Sequence, residues 1–371
     1  MNISDILMVI AGLILLIAGG EALVRGASTV ASKVGLSPLV IGLVVVSAAT
    51  SAPELAVTVG AVLDGEPDLA VGNVVGSNIV NILVILGISA IISPLVIKRQ
   101  LVRFDIPVMV GLSLLLVLVS LDGRISIFDG MLLLAVLIFH IIMSILIGRR
   151  TAAEPDDRPI ELPLNSKPAS LWWAATVLAA GVGLLVLGSQ LLVSGAVNIA
   201  TGLGVSSLII GLTVVALGTS LPELATSIVA LRRGERDIAV GNIVGSNLFN
   251  IGLVLGLPAI IFGDGIPVPS AAIALDLPLM LAAAVALLPI AFTGFMIARW
   301  EGAMFVALYA SYALYLVLAS TEHDAARGFT IIMLWFVLPL LAVTIIAFTS
   351  YEVGLVRGRK ESSRPKRESS S

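Results

Sequence analysis

Two acidic side chains, Glu54 and Glu223, stand inside long apolar runs at matching positions of a duplicated motif, ATSAPE at residues 49–54 and GTSLPE at 218–223. A charge at the centre of a bilayer costs about 2.5–3.5 kcal/mol on insertion scales, and no Lys or Arg lies near either glutamate within its run. The missing positive charge must therefore be mobile, a cation or protons. Thr50 and Glu54 are spaced i, i+4 and share one helix face, as do Thr219 and Glu223. Pro53 and Pro222 lack the amide hydrogen that would engage the carbonyls of Ala49 and Gly218. Freed carbonyls beside a carboxylate make an oxygen-rich site for a hard cation.

A second duplicated motif, G-N-x-x-G-S-N-x-x-N, runs from Gly72 to Asn81 and from Gly241 to Asn250. Ser77 with Asn81, and Ser246 with Asn250, place neutral oxygens along one helix face. The chain has no cysteine and two isolated histidines, His140 and His323. An all-oxygen set suits Ca²⁺, Na⁺ or Mg²⁺ and disfavours Zn²⁺ and Cu⁺. Gly72 with Gly76 reads as a helix-packing pair, and Asn73, Asn78, Asn242 and Asn247 as hydrogen bonds between helices rather than ligands. Glu21 aligns with Gln190 in the duplication and is not expected to bind an ion. Asp105, Asp129 and Asp276 fall near the ends of apolar runs and are expected at the membrane interface, with His140 a packed core residue.

The elements that must hold these residues are membrane helices. Of 371 residues, 58% are hydrophobic and 12% charged, with a mean hydropathy of +1.11. Soluble domains carry about 25% charged residues, so a water-soluble protein is excluded. Apolar runs of roughly 20 residues match the hydrocarbon thickness for helices, whereas barrel strands would be short and alternating. Eleven spans are expected, at about 5–23, 37–62, 69–95, 105–121, 127–147, 171–195, 206–231, 238–262, 271–293, 302–320 and 328–350. The start lacks a basic n-region and reads as a retained first span, not a signal peptide. With the N-terminus outside and the C-terminus cytoplasmic, 19 of the 21 basic residues fall on the cytoplasmic side, Arg124 and Arg327 excepted.

A shift of 169 residues aligns Leu23–Gly87 with Leu192–Gly256 without a gap, and 35 of those 65 positions are identical. Each copy has five spans, an odd number, so the two insert in opposite orientations. The charges follow: Leu63, Asp64 and Pro67 in one loop become Arg232, Arg233 and Arg236 in the other. The expected organisation is a first inverted repeat at 1–148, a cytoplasmic linker at 149–170, a second repeat at 171–321, an additional transmembrane helix at 322–350 and a basic, Ser-rich tail at 351–371. Inverted repeats with interrupted helices are an architecture of secondary transporters, with substrate bound near the bilayer midplane.

On these paired motifs the sequence resembles the sodium/calcium exchanger family of the calcium/cation antiporter superfamily, across both repeats (Gly35–Gly87 and Gly204–Gly256) and, in topology, the first ten spans. The resemblance implies a Ca²⁺ bridged by Glu54 and Glu223 with carbonyls near Thr50 and Thr219. It implies Na⁺ sites using Ser51, Ser220, Ser77, Ser246 and the same glutamates, with Asn81 and Asn250 lining the centre. It also implies that the first and sixth spans slide past a four-helix core. Asn250 stands where K⁺-dependent relatives carry an acid. The expected function is Na⁺/Ca²⁺ antiport in the cytoplasmic membrane. The residues leave H⁺ open as the driving ion, another cation open as the substrate, and a cation channel as the reading from a different class. An intramembrane enzyme built on Ser51 or Glu54 lacks a neighbouring His base and a G-x-S-x-G elbow. No cofactor and no nucleic-acid partner is expected beside Ca²⁺, Na⁺ and membrane lipid; a monomer is plausible, the oligomeric state unknown.

Overall fold

The computed structural model describes residues 2–151, 170–204, 216–292 and 294–320, with residues 331–333, 346 and 350. Among them nine helices are long and apolar enough to cross a membrane. In chain order the helices are α1 Ile3–Val34, α2 Pro38–Leu63, α3 Pro67–Ile92, α4 Leu101–Val119, α5 Ile127–Thr151, α6 Leu171–Gly202, the shorter α7 Leu221–Arg232, α8 Arg236–Ile261 and α9 Ala272–Phe292, and α10 Arg299–Ser320. The first part of the expected seventh span, most of the linker, nearly all of the eleventh span and the tail lie outside the described residues. The first span is longer than its apolar run suggests: α1 continues to Val34 and stops only where Gly35, at φ 68, donates its N–H back to the Ala31 carbonyl. That left-handed cap is the local signal that ends the helix.

Four two-residue strands tie the repeats together. β1 Leu95–Val96 pairs antiparallel with β4 Met296–Ile297, and β2 Arg124–Ile125 with β3 Ile266–Pro267. Each clip joins one strand from each repeat, and exchanging the repeats turns one clip into the other. They flank opposite ends of α4 and of α9, so these two helices cross the bundle in opposite senses.

Two helices form the centre. In α3 and α8, 78% and 83% of the apolar window is buried, against 11–50% for the other long helices. The periphery exposes large aliphatic and aromatic side chains, such as Leu13, Ile14 and Ile17 of α1 and Phe139, Ile142 and Leu146 of α5. In water this surface would be unstable; in hydrocarbon it needs no cover.

The equivalent helices α1 and α6 make their most extensive contact with each other, and they run antiparallel. Gly12 lies against Gly188 and Leu192, Gly19 against Gly181 and Leu185, and Gly26 against Ala174 and Leu178. Glycine at every seventh position lets the backbones touch: a Cβ on Gly19 would lie 2.8 Å from the Leu185 nitrogen. Gly19→Ala should therefore lower the thermal midpoint in detergent, at an overpacking cost of about 1–3 kcal/mol. Gly183→Ala, where a Cβ meets nothing within 4 Å, should leave it unchanged. Equal midpoints for the two variants would contradict this packing.

Candidate cation site

Both glutamate-bearing segments contain a break. In α2 the helix ends at Thr50, Ser51 takes φ −80, ψ 0, and a new helix starts at Ala52 with proline in its first turn. Ser220 takes φ −90, ψ 6 before α7 begins. Proline suits a first turn, where its missing N–H is not needed. The central helices bend as well: π-helical stretches begin at Asn81 in α3 and at Asn250 in α8. Such stretches loosen the i→i+4 ladder and recur at functional sites.

The two Asn bends and the two glutamates interleave. The resumed half of α2, which carries Glu54, packs on Asn250–Leu255, while α7, which carries Glu223, packs on Asn81–Leu86. Glu54 and Glu223 are both fully buried, and all four carboxylate oxygens lack a hydrogen-bond partner. The carboxylates are close enough to repel when both are ionised. The hydroxyls of Ser51 and Ser220, both amide atoms of Asn81 and Oδ1 of Asn250 are buried and unpartnered too. Among the described residues no three His, Cys, Asp or Glu side chains converge, so two carboxylates amid neutral oxygens are what the chamber offers.

The remaining expected residues pair across the repeats. Thr50 Oγ1 lies 3.4 Å from Ser246 Oγ and donates to Asn242 Oδ1 at 3.1 Å, and Ser77 Oγ lies 3.4 Å from Thr219 Oγ1. All ten expected site residues thus sit on the broken segments and bends of one core. Of the other asparagines, Asn73, Asn78 and Asn242 join helices, as expected, whereas Asn247 does not: its Nδ2 donates to the Ile243 carbonyl of its own helix at 2.8 Å, and its Oδ1 is buried and unpartnered. Asn73 Nδ2 donates to the Glu54 carbonyl at 3.1 Å and to Thr58 Oγ1 at 3.0 Å. Asn78 Nδ2 donates to the Asn247 carbonyl at 3.3 Å, and Asn250 Nδ2 to Asn78 Oδ1 at 3.2 Å. Gly241 and Gly245 pack on α2, where added Cβ atoms would come within 2.7 Å of the Leu39 carbonyl oxygen and 2.4 Å of that of Leu43. The partner segment equivalent for Gly72 and Gly76 falls outside the described residues.

Three readings change. The Gly218 carbonyl, released by Pro222, is not free, because Ser189 Oγ of α6 donates to it at 2.6 Å. The partner is distant in sequence and comes within reach only through the fold. Asp105 is not exposed at a span end: it is fully buried beside His140 of α5, whereas Asp276, which ends the same kind of π-helical start in α9, is only half-buried. His140 is accordingly a bonded residue rather than simple packing, with Nε2 2.9 Å from Asp105 Oδ1. Asp276 is half-buried and accepts from Tyr312 Oη at 2.8 Å. Asp129 sits at a helix start, as expected, and accepts from the Ser126 backbone N–H at 2.8 Å. Glu21 pairs with Arg233 at the end of α7, away from the chamber. Sequence reasoning also missed Thr226, a buried, unpartnered hydroxyl three residues beyond Glu223. Its repeat partner is Val57, so the duplication carries no signal for it. Thr58 and Ser227 were missed as well, although both repeats keep a hydroxyl four residues after the glutamate.

Two buried carboxylates without a protein counter-charge destabilise the ion-free state, and breaking or leaving unpaired a buried charge is far costlier than replacing it by a neutral group. Glu54→Gln and Glu223→Gln should each raise the thermal midpoint at pH 8.5 in Na⁺-free buffer with a divalent chelator, by an amount equivalent to about 1–4 kcal/mol. A lowered midpoint in both would contradict an uncompensated pair.

The family model described as sodium/calcium exchanger protein matches residues 4–146 and 173–318. The inner membrane protein YrbG of Escherichia coli (strain K12) is 37% identical over 256 residues, covering 68% of this chain and 79% of that protein. The sodium/calcium exchanger MaX1 of Methanosarcina acetivorans is 30% identical over 341 residues, covering 83% and 97%. Structures of the sodium-calcium exchanger NCX_Mj, among them one soaked with Na⁺ and Sr²⁺, superpose with a TM-score of 0.70 at 31% identity, covering 84% of this chain and 97% of that one.

Proposed function

The chain belongs to the sodium/calcium exchanger family, multi-pass membrane proteins that work as cation antiporters, and from that premise we propose that it exchanges Na⁺ for Ca²⁺ at a single chamber built on Glu54 and Glu223. The observation that carries this reading is the pair of duplicated, fully buried carboxylates whose four oxygens have no partner. A Ca²⁺ bridging them brings the local charge from −2 to zero, and so do two Na⁺ or two protons. Ser51, Ser220, Ser77, Ser246, Thr50, Thr219, Asn81 and Asn250 supply the neutral oxygens that replace water around a hard cation. A third Na⁺ would leave the chamber at +1, borne by the same neutral groups.

Exchange needs only that the two ions exclude one another and that the chamber open to one side at a time. The α1–α6 pair, in close glycine contact with itself, serves as the sliding unit, and the broken segments around Ser51 and Ser220 form the ends of the two access routes. The N-terminus lies outside, the basic loops lie in the cytoplasm, and the membrane is the cytoplasmic one, as the name of the relative YrbG supports. Physiological Na⁺ entry would expel Ca²⁺.

Proteoliposomes loaded with Na⁺ and diluted into Na⁺-free buffer containing labelled Ca²⁺ test this directly. Uptake should follow the Na⁺ gradient and fall at least about 30-fold in Glu54→Gln, the equivalent of losing about 2 kcal/mol of charge pairing. Uptake driven only by a pH gradient would make the protein a Ca²⁺/H⁺ antiporter of the same fold. Ca²⁺ flux that runs down its own gradient without any counter-ion would identify a channel and overturn the exchange reading.

A further inference from the structure

Outside the cation chamber, α4 and α5 enclose a second ionisable cluster. Asp105, His140 and Ser144 are 0%, 1% and 0% exposed. His140 Nε2 lies 2.9 Å from Asp105 Oδ1, and Ser144 Oγ donates to the same oxygen at 2.7 Å. Asp105 Oδ2 and His140 Nδ1 are buried with no partner. Phe104 stacks on the imidazole, centroids 5.7 Å apart and planes 7° from parallel. We propose that Asp105 and His140 form a proton-binding site, separate from the cation chamber, whose occupancy sets the rate of exchange.

The chemistry follows from the bonding. With Nε2–H donated to Asp105, the neutral ring keeps its lone pair on Nδ1, and the pair carries a net charge of −1 in an apolar surround. A proton from water forms an N–H bond at Nδ1, nothing leaves, and the pair becomes imidazolium–carboxylate with no net charge. Histidine is the side chain suited to such a change near neutral pH, and the face of Phe104 favours the cationic ring. The neighbouring charges do not substitute for it. The segments packed on α5 or α4 at 38–41, 250–261 and 277–292 carry no ionisable side chain. Arg236 and Asp237 start the segment of α8 that packs on α4, and Asp237 is paired with Lys98 at 3.4 Å. On the cluster's own helices, Arg103 and Arg149 are exposed and Asp129 is bonded to Ser126.

Contact links this site to the bend in α8. One turn before His140, Leu137 lies against Gly252, where an added Cβ would come within 2.5 Å of the Leu137 Cβ, and Gly130 lies against Gly256. The seat of α5 therefore bears on the π-helical stretch that starts at Asn250. The second repeat lacks the device. Asp276 occupies the place of Asp105, but the fourteenth residue of α10 is Tyr312 where that of α5 is His140. Leu275 and Leu316 replace Phe104 and Ser144.

The chain has two histidines, so His323→Gln leaves His140 as the sole imidazole. In this full-length variant, labelled with ¹⁵N-histidine in detergent, lowering the pH from 9 to 5 should move the ring resonances from the tautomer with a bare Nδ1 to the doubly protonated ring. Asp105→Asn should abolish the doubly protonated form over that range. A ring that keeps one form throughout overturns the site. The rate clause rests on the exchange reading and is tested with liposomes held at equal pH on both faces. There, Na⁺-driven Ca²⁺ uptake should change at least threefold along the ring titration, and His140→Gln, which retains a donor to Asp105, should flatten that change. An unaltered pH profile in His140→Gln overturns the coupling. Absence of gradient-driven flux at every pH would strike the exchange reading instead, leaving the resonance result to decide the proton site.

Discussion

Two carboxylates held in a low-dielectric interior, with no cationic side chain paired to them among the described residues, impose the central constraint on this protein. Electrostatics forbids leaving such a pair both ionised and unaccompanied, so a compensating positive charge must arrive as an ion or a proton. The breaks at Ser51 and Ser220 start the helix turns that carry the glutamates, and the two serine hydroxyls are buried and unpartnered. Amide atoms are left uncommitted where the π-helical stretches start, at Asn81 and Asn250, while Asn73, Asn78 and Asn242 join helices. Irregular backbone at membrane depth is tolerable because it lies inside the bundle. The burial of α3 and α8 provides that cover.

Duplication with inversion builds the two halves of this site from the same pair of motifs. The two strand clips exchange places under that relation, and α1 and α6 meet antiparallel through glycines. Where the repeats differ, the two faces differ. Glu21 finds Arg233, whereas Gln190 and Asp64 at the equivalent positions offer no ion pair. Ser189 holds the Gly218 carbonyl, but Gly20 has no hydroxyl to offer Ala49. Thr226 faces no counterpart, since Val57 stands in the other copy.

The membrane helices, the repeats and the glutamates were legible from residue types and spacing. Charge inside an apolar run is costly enough to be informative by itself, and the 169-residue shift made Glu54 and Glu223 a pair before any fold was known. The asparagines that join helices were legible for the same reason. What was not legible depended on which residues the fold brings together. Asp105 looked interfacial because its position in the run places it near an end; its partner His140 lies 35 residues away on another helix and comes within reach only through the fold. Ser189 and Gly218 are 29 residues apart on different helices. The end of α1 was misplaced because hydropathy fades after residue 23, although the helix persists until Gly35 supplies a left-handed cap.

The central claim is that one chamber holds either Ca²⁺ or Na⁺. Equilibrium binding of labelled Ca²⁺ to the purified protein, titrated with Na⁺ at constant ionic strength, tests it most directly. The account predicts one Ca²⁺ per chain, complete displacement by Na⁺ with a Hill coefficient of about two or more, since two carboxylates balance one divalent or two monovalent ions, and loss of the site in Glu223→Gln. Ca²⁺ that remains bound at saturating Na⁺, or that binds Glu223→Gln as tightly as the unaltered protein, would contradict it.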